Sequence, residues 1–176
     1  MDMFENYFDK QKTTLLRVGK NEILQSPGAI TCKAFYVKKG LLRSYLIDQK
    51  GKIHTFTFAP EGWIISDIEA FMFSSPTELY IDALEDSEIV EINQISTVTF
   101  ETPNSVKPEI IQKLLKRIAV LQKRVMLLMS APAKQRYQHF IETYPQLVNR
   151  VQLKMIASYL GITPEALSAI RANMKN

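Results

Sequence analysis

Apolar positions along this chain first follow a period of two and later a helical one. Phe35 and Val37 alternate with Ala34, Tyr36 and Lys38, and Gly40 breaks the run. Leu42, Ser44 and Leu46 alternate with Leu41, Arg43, Tyr45 and Ile47. Asp48–Gly51 reads as a turn, after which Ile53–Phe58 resumes the alternation. Leu79–Leu84 and Glu88–Ile92 flank a second turn, Glu85–Ser87. Short strands at such close spacing predict a sandwich or jelly roll. Residues 1–14, ahead of the first strand-like text at Leu15, read as a short helix or an irregular lead-in.

The period changes after residue 102. Residues 103–108 are a short link, and a helix is expected from Pro108–Glu109 to Ser130. Ile111, Leu114, Ile118, Leu121, Val125 and Leu128 fall at alternating spacings of three and four, which is a heptad seam. Its a positions, Ile111, Ile118 and Val125, are β-branched, and its d positions, Leu114, Leu121 and Leu128, are leucines. That combination favours a parallel two-stranded coiled coil, hence a homodimer. A monomer that buries the seam within its own chain is the competing arrangement. Leu115, Val120 and Leu127 are further apolar positions, expected to pack on the chain's own β-domain. Pro132 cannot continue a helical hydrogen-bond ladder, so residues 130–133 read as a hinge. Ala133–Tyr144 is another helix, with Tyr137, Phe140, Ile141 and Tyr144 inward.

Leu153–Lys175 predicts a helix, a three-residue turn and a second helix. Ile156 and Leu160 share one face of the first. Gly161 suits a left-handed helix end. Thr163 caps the second helix, Pro164 fits its first position, and Glu165 favours its positive N-terminus. Leu167, Ile170 and Met174 form an inward stripe, leaving Glu165, Ser168, Arg171 and Lys175 outward. Such a pair places its second helix in a DNA major groove, although a helical hairpin inside a core gives the same pattern.

Charge supports the first alternative. Residues 1–102 carry 10 Lys+Arg against 15 Asp+Glu, and residues 103–176 carry 12 against 3. The net charge is +4, and all of the excess lies in the second half, as a polyanion-binding half requires. Hydrophobic residues make up 46% and charged residues 23%, which reads as globular, and no apolar run approaches the roughly 20 residues of a membrane span. The acidic, polar start is unlike a signal peptide. The single cysteine, Cys32, excludes an intramolecular disulfide. A cytoplasmic protein is expected, with no membrane association.

Arg150–Arg171, RVQLKMIASYLGITPEALSAIR, resembles the C-terminal helix-turn-helix of the Crp/Fnr superfamily of bacterial transcription regulators. VKKGLLRSYLIDQKGK and FAPEGWIISDIEAFMFSSPTELYIDALEDSEIVEI resemble that family's sensor domain, a double-stranded β-helix related to cyclic-nucleotide-binding domains. The resemblance implies an α+β fold with three parts. These are a sensor jelly roll over residues 1–102, a linker and dimerisation helix over 103–131, and a helix-turn-helix domain over 132–176. It implies a dimeric transcriptional regulator whose partners are double-stranded DNA, a second copy and RNA polymerase. Lys154, Thr163, Pro164, Glu165, Ser168, Ala169, Arg171 and Lys175 are the expected DNA-binding residues. Ala169 departs from the family, in which an arginine that reads guanine follows the serine. No length remains for a β wing after the second helix.

In cyclic-nucleotide binders the stretch after the glycine holds a short helix and a phosphate clamp, with a Glu for the ribose and an Arg for the phosphate. The matching positions here are Gly62, Ser66, Asp67 and Thr77. Nothing between Gly62 and Ala83 is basic, and an uncompensated buried phosphate is costly. The domain is therefore expected not to bind cyclic AMP in the usual way, and a pocket at these four residues either serves another small molecule or is vestigial. No cofactor, metal or catalytic residue is expected. His54 and His139 are the only histidines, too few for a metal site of the cupin type, and the chain offers only single candidates for each haem ligand. Asp67 and Glu69 are a carboxylate pair of a kind solvated turns explain. The remaining alternative is a ligand-binding or protein-interaction module of the same shape that has lost sequence-specific DNA reading, for which Ala169 is the argument.

Overall fold

The alternating runs become eight strands and a short helix in the computed structural model, which describes residues 14–92 and 108–174, without the side chains of 108–111, 113 and 114. The lead-in over residues 1–13, the link up to residue 107, the seam side chains of Ile111 and Leu114, and Lys175 lie outside this description. The chain divides into two compact units, Met1–Ser96 and Thr97–Asn176.

The first unit contains β1 (Leu15–Val18), β2 (Ile23–Gln25), β3 (Ala34–Lys39), β4 (Leu42–Ile47), β5 (Ile53–Ala59), β6 (Ile64–Ile65), α1 (Ile68–Phe73), β7 (Tyr80–Ala83) and β8 (Ser87–Ile92). One sheet has the order β1-β8-β3-β6 and the other β2-β7-β4-β5, with every pairing antiparallel. This is the expected jelly roll. Phe35, Val37, Leu42, Ile65, Ile81 and Ile89 sit in the core cluster it encloses. Gly40 joins β3 to β4 at φ +102°, and a Cβ there would lie 2.8 Å from the Ser87 Cα, so only glycine fits.

The alternation does not translate into one wet and one dry face. Leu42, Arg43, Ser44 and Tyr45 of β4 are all buried. Arg43 forks onto Asp82 of β7, with Nε donating to Oδ1 at 3.0 Å and Nη2 donating to Oδ2. Its guanidinium lies 4.2 Å from the Tyr45 ring centroid, and Tyr45 stacks on Tyr80 at 5.0 Å. A bidentate, aromatic-covered pair of this kind lets a charged side chain sit inside a sheet layer. Burial pushes the Tyr45 phenol up, and the neighbouring Asp82 carboxylate adds to the effect.

The second unit consists of α2 (Pro108–Ser130), α3 (Ala133–Thr143), a 3-10 turn (Pro145–Leu147), α4 (Leu153–Leu160) and α5 (Pro164–Asn173). Pro132 is the N-cap of α3, so the helix breaks at the hinge. The core joins Tyr137, Phe140, Tyr144, Ile156, Tyr159 and Leu167. Phe140, Tyr144 and Tyr159 make an aromatic triangle with centroids 5.5–6.1 Å apart. Among the described residues, no helix is long and apolar enough to cross a membrane.

Candidate nucleic-acid interface

Local sequence fixes the turn between α4 and α5. Gly161 adopts φ +67° and its N–H donates to the Ser158 carbonyl at 3.1 Å, while Ile162 N–H donates to the Ala157 carbonyl at 3.0 Å. These bonds close the end of α4 in the left-handed manner glycine permits. Thr163 then takes an extended conformation, and its Oγ1 accepts from Ala166 N–H at 3.2 Å. Pro164 occupies the first turn of α5, where it has no N–H to waste. The Glu165 carboxyl is held below the usual range by its own backbone N–H and by the Thr163 hydroxyl. Thr163→Ala should therefore cost the helical unit about 1 kcal/mol in a denaturant melt. It should also move the Glu165 titration, followed by NMR, up toward the ordinary carboxylate range.

Leu167 is the only buried residue of α5. Ile170 is half-buried and Met174 is 37% exposed, so the inward stripe holds at Leu167 and fades toward the C-terminus instead of running through Met174. Pro164, Glu165, Ser168 and Ala169 are exposed together, Arg171 is half-buried, and Lys154 is exposed at the start of α4. Ser168 Oγ donates to the Pro164 carbonyl at 2.9 Å. Its hydroxyl proton is thus occupied and its lone pairs face solvent as acceptors.

The two sides of α2 differ. Ile118, Leu121, Val125 and Leu128 are 38–59% exposed along one side. On another, Leu127 is buried and Arg124 reaches α4: Nη2 donates to the Tyr159 carbonyl at 3.0 Å and the guanidinium lies 4.1 Å from the Tyr159 ring centroid. Sequence reading missed this role for Arg124. The signal was available, because Arg117, Arg124 and Leu127 flank the seam on one side at helical spacing. Burial lowers both guanidinium pKa values, that of Arg117 to about 10. Leu127 is buried within the helical unit, where it lines one crevice with Phe140 and Tyr159, and Leu115 is 58% exposed.

In the β unit, Ser66, Asp67 and Thr77 come together, and they bond to one another's surroundings. Asp67 caps α1, with Oδ1 accepting from Ala70 N–H at 3.3 Å. Its Oδ2 accepts from the Thr77 hydroxyl at 2.8 Å and from Glu78 N–H at 3.2 Å. Gln25 Nε2 donates to Thr77 Oγ1 at 3.0 Å, and Ser66 Oγ donates to the Lys33 carbonyl at 3.2 Å. Gly62 stands in the turn before β6, its N–H donating to the Val37 carbonyl at 2.9 Å. Buried Cys32 donates to Gln25 Oε1, and burial pushes its thiol pKa up. His54 Nε2 lies 2.8 Å from Asp48 Oδ2 at the β4–β5 turn; this contact and two backbone N–H groups hold the Asp48 carboxyl below its usual range.

No protein-family model matches the sequence, and no curated protein matches it. Solved structures do. The chain is 20% identical to FixK2 from Bradyrhizobium japonicum, covering 94% of this chain and 85% of that one at a TM-score of 0.70. It is 15% identical to the c-di-GMP responsive global regulator CLP of Xanthomonas campestris, covering 98% and 90% at 0.72. A transcriptional regulator of the CRP/FNR family from Thermus thermophilus is 16% identical, with 92% and 86% covered at 0.69.

Proposed function

We propose that this chain, whose fold is that of the Crp/Fnr-type regulators, is a homodimeric transcription regulator that reads double-stranded DNA with α5. One observation carries the reading: α5 buries Leu167 fully and Ile170 partly, and presents Glu165, Ser168 and Ala169 to solvent from a helix capped by Thr163. The basic second half of the chain suits a polyanionic partner on that exposed face.

The roles follow from the chemistry of each group. Glu165 accepts from a cytosine amino group. Ser168, its proton already given to Pro164, accepts from a base amino group. Ala169 offers a methyl to a thymine methyl. Lys154, Arg171 and Lys175 contact phosphates, and Thr163 presents the α5 N-terminus to another. Two copies joined along Ile118, Leu121, Val125 and Leu128 would set their α5 helices into successive major grooves about 34 Å apart. RNA polymerase is the further partner that the fold's regulators suggest. The β unit is the sensor. Asp67 already accepts from Ala70 N–H, the Thr77 hydroxyl and Glu78 N–H, and nothing between Gly62 and Ala83 is basic to meet a cyclic phosphate, so an effector other than cyclic AMP is inferred.

Selection from a random duplex pool, followed by binding at several salt concentrations, tests this. Glu165→Ala should relax preference at one base position per half-site. Arg171→Ala should weaken all sequences alike, by about tenfold, and lower the salt slope by about one. Retention of no sequence above bulk DNA would overturn the reading. It would favour instead an interaction module of the same fold, to which the small exposed side chains of Ala166, Ala169 and Ala172 are suited.

A further inference from the structure

A crevice lies within the helical unit where α2, α3 and α4 meet. Arg124 and Leu128 of α2, Phe140 and Tyr144 at the end of α3, and Tyr159 and Leu160 of α4 are among its lining residues. Its wall is almost wholly apolar, and it opens to solvent. The cavity volume is about 20 Å³. A single water-sized occupant needs roughly 10–15 Å³, so the space takes the tip of one apolar side chain and excludes an organic effector.

The crevice is continuous with the exposed apolar stripe of α2. Leu128 belongs to both, as a d position of the heptad and as a lining residue. In the same heptad frame Arg124 is the g residue before Leu128, and Met129 is the e residue after it. In a parallel two-stranded coiled coil, each g residue lies beside the following e residue of the other helix. The side chain brought to Arg124, and so to the mouth of the crevice, is therefore the second copy's Met129. Met129 is 83% exposed in its own copy, more than any other large apolar side chain among the described residues. An unbranched thioether fills irregular gaps and packs favourably on aromatic rings. Phe140, Tyr144 and Tyr159 supply such rings here.

We propose that the crevice of each copy receives Met129 of the other, so that one copy's α2 helps to hold the other's α3 and α4. This inference rests on the homodimer proposed above and adds to it a contact outside the seam. The position matters. A Cβ built on Gly161 would lie 3.4 Å from Leu128 Cδ2, so the turn ahead of α5 sits against the same stretch of α2. The second copy thus contributes to the packing behind α5, and by two-fold symmetry the contact is made twice.

The test uses the full chain, in dimers mixed from copies with isotope-labelled methionine methyls and copies with isotope-labelled aromatic rings. A nuclear Overhauser effect should cross from the Met129 methyl of one copy to the Phe140 and Tyr159 rings of the other. Met129→Ala should raise the dimer dissociation constant about tenfold, and Met129→Leu should restore most of the loss. Met126→Ala, at an exposed b position, should leave the constant unchanged. A full-mass dimer with no such cross-copy effect overturns the docking and leaves the seam standing. So does contact of these rings with residues 93–107 instead, or equal weakening by Met126→Ala. Single protomers at every concentration overturn the seam and the docking together.

Discussion

Leu121→Lys should leave protomers of 20.2 kDa in light scattering where the proposed dimer of the unaltered protein should give twice that mass. Leu121 is 38% exposed in a single chain, so lysine there costs the protomer's own fold little. In a two-stranded seam the same position faces its copy, and two ammonium groups would replace a leucine pair at a d position. Specific DNA binding should fall about 10²–10⁴-fold, the loss expected when two linked half-site contacts become independent. Circular dichroism should be unchanged. Leu127→Lys supplies the contrast: Leu127 is buried, so lysine there should unfold the helical unit instead of only separating protomers. A Leu121→Lys protein that still scatters as a full-sized dimer rules out the seam.

The second large effect concerns stability. Asp82→Ala should destabilise the β unit by about 3–5 kcal/mol in a urea titration, because it strands the Arg43 guanidinium inside the sheet layer. Side-chain exposures of 7% and 11% leave neither partner access to compensating water. The paired replacement Arg43→Met with Asp82→Leu removes the charge along with its partner and should recover most of that loss. If Asp82→Ala alone proved as stable as the double variant, the ion pair would be irrelevant to folding.

What could be read in advance was local. Gly161, Thr163 and Pro164 each restrict their own backbone, so the turn and both helix ends around it were legible residue by residue. Pro132 announced the break, and the heptad spacing marked which side of α2 would remain open. What could not be read depends on distant partners. Alternation alone assigns no partner to Arg43, whereas Asp82, 39 residues later, allows it to be buried. At three and two residues, β2 and β6 are too short to show any period. Asp67 stood at a position that matched a ligand-binding glutamate, yet its oxygens serve a helix cap, Thr77 and a backbone N–H, pairings only the fold brings together. Met174 illustrates the opposite error: the helical spacing of Leu167 and Ile170 continues to it, yet it is 37% exposed.

The bond from Arg124 to Tyr159 and the burial of Leu127 lock α4 to the azimuth of α2. Each residue of an α-helix advances about 100° around its axis. One extra residue inserted between Leu121 and Arg124 would leave the clasp intact and twist it about a quarter turn away from the upstream half of the apolar stripe. Seven extra residues would nearly restore the phase. The spacing between that clasp and the stripe is thus an angular setting, and the sense in which α5 points is written into a count of residues.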